Sequence, residues 1–178
     1  VEKMDLNFFK SMNINLDLAL EAREIIRGET GREVPGVRVD KEKYDHAEVT
    51  IVHIMEEHAV NTMGKPMGKY VTIEAPVIRE NNKKAHRQVA EVLGKQLTNL
   101  FELAMEDNVL IVGLGNWNAT PDSLGPRVVG ESLVTRHLFN YAPQELQGGM
   151  RPVSALAPGV LGITGIETAE IIKGVVDR

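Results

Sequence analysis

A chain of 178 residues with 25 acidic and 20 basic side chains, a formal net charge of −5 and no cysteine is long enough for one domain with a substantial core. It carries no nucleic-acid footprint, since no basic run exceeds Lys83-Lys84, and the missing thiols exclude disulfides, cysteine nucleophiles and cysteinyl zinc sites and fit an intracellular compartment. The charged start Val1-Glu2-Lys3-Met4-Asp5 is no signal peptide and no apolar run approaches the ~20 residues of a membrane span, which predicts a soluble, cytoplasmic protein.

Asn7 to Asp17 is a mixed segment, and Leu18 to Ile26 predicts a helix. Gly28 to Gly36 reads as loop. Val37-Arg38-Val39 and Glu48 to Ile54 then alternate polar and apolar residues, as half-buried antiparallel strands do. Gly64 to Gly68 is a turn leading into a third strand, Tyr70 to Glu74, which Pro76 brings to an end. From Lys84 to Met105 apolar residues recur at three and four, the period of an amphipathic helix, with Lys83, Lys84 and Arg87 on its solvated face. Val109 to Val112 is a buried strand, Pro126 to Phe139 a second helical segment, Arg151 to Ala157 another strand, and Ile166 to Val176 a final helix. Helix, strand, helix, strand, helix predicts an α/β fold with a parallel sheet covered on both faces.

The segment from Val109 to Pro126 points to a site. Four apolar residues run into Gly113 and Gly115, which permit a tight turn, and then into a polar loop where Pro121 and Pro126 restrict the backbone around Asp122. In open α/β sheets ligands sit at that carboxyl-end crevice; the structural alternative is an ordinary strand-to-helix turn with Asp122 as a cap.

Other motifs are weaker. Gly113-Leu114-Gly115 lacks the third glycine of a dinucleotide fingerprint, and no phosphate-loop Gly-Lys-Ser/Thr occurs. Gly159, Gly162 and Gly165 repeat at three, a spacing that lets a loop pass close to a helix, and their amides could hold a substrate strand or an oxyanion. The five histidines are scattered, with no His-x-x-x-His pair; His53 and His58 read as surface residues, and Arg136-His137 as a basic pair at a helix end. Ser123 and Ser154 lie in no Gly-x-Ser-x-Gly elbow.

In order, the chain carries Gly113-Leu114-Gly115-Asn116, Thr120-Pro121-Asp122-Ser123-Leu124-Gly125-Pro126, Thr135-Arg136-His137-Leu138-Phe139, Arg151-Pro152-Val153-Ser154-Ala155, the run from Pro158 to Thr168, and Glu170-Ile171-Ile172. With Asp17 to Ala22 and Lys69 to Glu74, these motifs make it resemble, over nearly its whole length, the spore germination proteases of endospore-forming bacteria. The resemblance implies an endopeptidase made as an inactive precursor in the developing spore, which on germination degrades the small acid-soluble proteins that coat spore DNA. It implies a homotetramer in the cytoplasm of the forespore and spore core. The implied fold is a three-layer αβα sandwich similar to hydrogenase maturation proteases, with a mostly parallel sheet and a small antiparallel β region in the N-terminal part.

Carried over residue by residue, the resemblance places one of two catalytic aspartates on Asp122 and the precursor-processing bond at Asp17-Leu18. Residues 1–17 are then the propeptide, with Phe8, Phe9, Met12, Ile14 and Leu16 as apolar anchors over the cleft, and residues 18–178 an incomplete protease domain. The second aspartate falls beyond Arg178, so the missing C-terminal part is itself an expected partner and this chain alone is expected to be inactive. Two carboxylates divide the general-base and general-acid roles, with Gly113, Gly115, Asn116, Gly159, Gly162 and Gly165 as candidate substrate or oxyanion-loop residues; this chemistry needs no cofactor. The alternatives are metal-assisted hydrolysis with His137 or Glu167 as ligands, and a spore protein that binds a peptide without cutting it.

Overall fold

The computed structural model describes residues 19–30 and 34–177, which divide along the chain into two compact units between Glu102 and Leu103. The first holds helix α1 (Ala19–Thr30), strands β1 (Val37–Lys43) and β2 (Glu48–Ile54), helix α2 (Glu57–Met63), strand β3 (Gly68–Glu74) and helix α3 (Lys83–Leu100). Its sheet is antiparallel in the order β1-β2-β3, with Val37 facing Ile54 and Glu48 facing Glu74. The three predicted strands are all present. Alternation in β2 sends its side chains to two cores. Val52 and Ile54 pack with Ala19, Leu20, Ala22 and Ile26 of α1 and with Ala59 and Met63 of α2, while Val49 packs with Val89 and Val92 of α3, flanked by Ile51, Val71 and Ile73.

Local chemistry sets the helix ends. The buried Ala19, Ala22 and Ile26 recur at three and four, so α1 runs to Thr30, past the loop expected from Gly28. Helix α2, absent from the sequence-based expectations, closes at Gly64 (φ +65°), whose N–H donates to the Val60 carbonyl, a left-handed cap that suits glycine. Asn82 caps α3 by accepting the Ala85 N–H at 3.1 Å. Ala85, Val89, Val92 and Gln96 form the buried face of α3, and Phe101 ends it in extended backbone, short of the expected Met105. Lys83, Lys84 and Arg87 are solvent-exposed as expected. His53, expected at the surface, is half-buried: its side chain is 14% exposed and lies 3.1 Å from the Asp40 carboxylate.

A polar network ties β1 to α3. The Tyr44 hydroxyl donates to Glu42, Gln96 donates to the same carboxylate at 3.1 Å, and Lys95 Nζ lies 2.8 Å from the Tyr44 hydroxyl and 3.4 Å from Glu42. Gln96 is only 3% exposed, so its amide needs that partner.

The second unit contains β4 (Val109–Val112), a 3-10 turn at Thr120–Asp122, α4 (Leu124–Glu131), α5 (Arg136–Tyr141), a 3-10 turn at Pro143–Glu145, β5 (Val153–Leu156), α6 (Leu161–Thr164) and α7 (Thr168–Val176). The strands β4 and β5 pair in parallel, Val109 facing Val153, so the class is α/β with one antiparallel and one parallel sheet. The helix expected from Pro126 to Phe139 is broken. Buried Thr135 interrupts it by pairing with β5: its N–H donates to the Val153 carbonyl at 2.9 Å, its hydroxyl accepts the Val153 N–H at 3.0 Å and donates to the Arg151 carbonyl. Arg136 therefore opens a new helix instead of closing an old one. Among the described residues no helix is long and apolar enough to cross a membrane.

The Tyr44 hydrogen bond, followed by the bonds and charge of Lys95, holds the Glu42 carboxyl below its usual value of 4.5. A carboxyl whose pKa is lowered by folding stabilises above the unfolded value and loses that contribution as pH falls through the folded one. Glu42→Gln should lower the denaturation midpoint at neutral pH, and the gap from the parent protein should narrow as pH falls below the usual carboxyl value, as followed by urea denaturation across a pH series.

Candidate active site

The chain leaves β4 through a turn with almost no room for side chains. Gly113 and Gly115 are both buried. A Cβ at Gly113 would stand 2.1 Å from the Gly125 carbonyl oxygen, one at Gly125 2.0 Å from that of Leu114, and one at Gly115 (φ +129°) 2.1 Å from that of Asp122. Three glycines thus let the outgoing strand end lie directly against the Asp122–Gly125 turn.

That contact fixes the carboxylate. The Asn116 N–H donates to Asp122 Oδ2 at 2.8 Å and is shared with the Asp122 carbonyl at 3.0 Å. The Asn116 side chain accepts the Asn118 N–H at 2.9 Å, and the Asp122 N–H donates to Ala119 at 2.9 Å, closing the loop on itself. The Ser123 hydroxyl, nearly buried, donates to the Thr120 carbonyl at 3.0 Å and is no free nucleophile. Asp122 itself is exposed, with Oδ2 anchored on the backbone amide of Asn116. A carboxylate held this way can accept a proton from a water or hydroxyl at the mouth of the sheet.

Parallel β4 and β5 end on one edge, so the loop after β5 opens beside the Asp122 loop. Gly159 (φ +80°) begins that loop, its carbonyl accepts the Thr168 hydroxyl at 3.2 Å, and Gly165 (φ +69°) closes α6 by donating to Leu161 at 2.8 Å. Gly162 lies within α6. The amides of Gly113, Asn116 and Gly165 are each already bonded, the first to Leu156 at 2.9 Å. His137 stands in α5 and Glu167 caps α7; among the described residues no group of three His, Cys, Asp or Glu converges as a metal site would need. Asp17 and Leu18 lie outside the described residues. The two features sequence reasoning missed are the Asn116 clamp, signalled only by an asparagine six residues before Asp122 in a glycine-flanked turn, and the Thr135 bridge, whose partners lie 16 and 18 residues away.

A family model described as germination protease matches residues 16–178. The chain belongs to the germination protease family. It is 52% identical over 167 residues to the germination protease of Caldanaerobacter subterraneus subsp. tengcongensis, covering 94% of this chain and 51% of that protein. With the germination protease of Clostridium tetani the identity is 42% over 94% of this chain and 52% of the relative, and with that of Bacillus cereus it is 41% over 99% and 48%. The chain spans about half the length of these curated germination proteases.

The glycine crossing makes a sharp prediction for a family member. Gly115→Ala combines a positive φ with a direct backbone clash and should cost about 1–3 kcal/mol or more, whereas Gly162→Ala meets open space on a helix and should be neutral or stabilising by up to ~1 kcal/mol. Thermal melts of the two variants beside the parent protein check the contrast.

Proposed function

We propose that this chain is part of an endopeptidase that starts the degradation of small acid-soluble spore proteins during germination, with Asp122 as one of its two catalytic carboxylates. The observation that carries the reading is Asp122 itself: an exposed carboxylate clamped by a backbone N–H at the carboxyl end of a parallel strand, in a chain whose family match runs through that turn.

In the mechanism, Asp122 Oδ2 stays on the Asn116 amide while Oδ1 takes the proton of a water attacking the scissile carbonyl. A second aspartate, which the family resemblance places beyond Arg178, shares a proton with Asp122 and donates it to the departing amine. Donors to the tetrahedral oxyanion are the amides of Gly159, in the loop after β5, and of Gly162, in α6. The same reading makes residues 1–17 a propeptide removed at Asp17-Leu18, the assembly a homotetramer of the forespore and spore core, and the complete fold a three-layer αβα sandwich.

Asp122→Asn keeps an acceptor for the Asn116 N–H and removes the base. In the processed full-length enzyme it should reduce kcat for cleavage of an acid-soluble spore protein by about 10²–10⁴-fold with an unchanged thermal midpoint. Retained cleavage by the folded variant would remove Asp122 from the chemistry.

A further inference from the structure

The loop that carries the Asn116 clamp is bonded to itself. The Asn116 N–H donates to Asp122, the Ala119 N–H to the Asn116 carbonyl at 3.1 Å, and the Asp122 N–H to the Ala119 carbonyl at 2.9 Å. The Asn118 N–H is taken by the Asn116 side chain at 2.9 Å. A loop bonded in this way keeps its own shape, but it swings as a body about its root unless a second contact holds it. The root is the glycine crossing, where Gly125 of α4 meets the Leu114 backbone. The second contact is the side chain of Trp117, the one tryptophan in the sequence. Its indole lies over Gly130 of the same helix, with Cη2 3.7 Å and Cζ3 3.9 Å from the place a Cβ would take. The two contacts are about 7.5 Å apart along α4 at 1.5 Å per residue, so together they fix the direction of the loop as well as its position. Asn116 stands between them. On one side Gly115 is packed against the Asp122 carbonyl, and on the other Trp117 is seated on the helix.

We propose that Trp117 is a positioning residue of the peptidase site: its indole, seated on α4 over Gly130, keeps the Asn116 N–H aimed at Asp122 Oδ2 and so holds the carboxylate in place for proton transfer. It acts through Asn116 and touches no reacting atom. Gly130 is the seat, because a side chain larger than a methyl stands where the ring lies. The proposal rests on the peptidase reading above and adds to it the side chain that anchors the carboxylate's own anchor.

The test compares Trp117→Ala, Gly130→Val and Gly130→Ala in the full-length processed enzyme. Two quantities are read: amide exchange at single-residue resolution, and steady-state cleavage of an acid-soluble spore protein. The alanine methyl meets the ring at ordinary van der Waals distance, so Gly130→Ala should keep the parent kcat, with Asn116 exchange unchanged or slower. Valine cannot turn both methyls away from the ring, and Trp117→Ala removes the ring altogether. Each should speed Asn116 exchange about tenfold and lower kcat about tenfold at an unchanged KM. The Gly113 amide, bonded to Leu156 in the sheet, should keep its protection in both, and the midpoint of Gly130→Val should not fall, since valine suits a helix better than glycine. Parent-like Asn116 exchange in Gly130→Val and Trp117→Ala would overturn the proposal, as would equal losses of protection at Gly113 and Asn116, the mark of a merely structural role. The exchange readout decides the brace whatever Asp122 does, whereas the catalytic reading is decided by whether Asp122→Asn still cleaves. An unchanged kcat in Trp117→Ala, beside an Asp122→Asn variant that has lost cleavage, would overturn the positioning role alone.

Discussion

The second unit depends on a backbone crossing that leaves no space for Cβ atoms. Gly113, Gly115 and Gly125 bring the end of β4 within contact of the turn that carries Asp122, and only at that distance can the Asn116 N–H reach the Asp122 carboxylate. What is proposed for the site follows from the fixed oxygen and from its placement at the carboxyl end of a parallel pair. A carboxylate on a looser loop would have to be ordered at each turnover, a cost that a preformed hydrogen bond removes in advance.

Around this crossing, polar groups of the second unit are spent on joining segments distant in sequence. Thr135 is nearly buried and uses its amide and its hydroxyl on Val153 and Arg151, so one residue both ends a helical run and extends the sheet by a single rung. The first unit uses a different device, the Glu42, Tyr44, Lys95 and Gln96 network over a continuous apolar layer. Both follow one rule: a polar group that must be buried is given a partner, and the partner fixes register.

Periodic features were legible in the sequence because they are local. The alternation of Glu48 to Ile54 gave β2, though the strand is buried on both faces where half-burial was expected, the three-and-four spacing through Val89 and Val92 gave α3, and the apolar run into Gly113 gave β4 and the Asp122 turn. Features set by distant partners were not. Helix α2 is too short for its period to stand out. The break at Thr135 depends on Val153, and a helical pattern through Val128, Val129 and Val134 hides it. The partial burial of His53 is set across the hairpin, where it meets Asp40. At the site, glycine content announced a tight turn, but which oxygen of Asp122 is held, and by which amide, emerges only when two loops are packed together.

The clamp is tested most directly by amide hydrogen exchange at single-residue resolution across residues 113–125. Asn116 should exchange about tenfold or more slowly than neighbouring Trp117, for whose amide no bond is seen in the loop, and should lose part of that protection in Asp122→Ala while keeping it in Asp122→Asn. An Asn116 amide exchanging as fast as Trp117 in the parent protein would mean that Asp122 is not held, and the account of the site would fail with it.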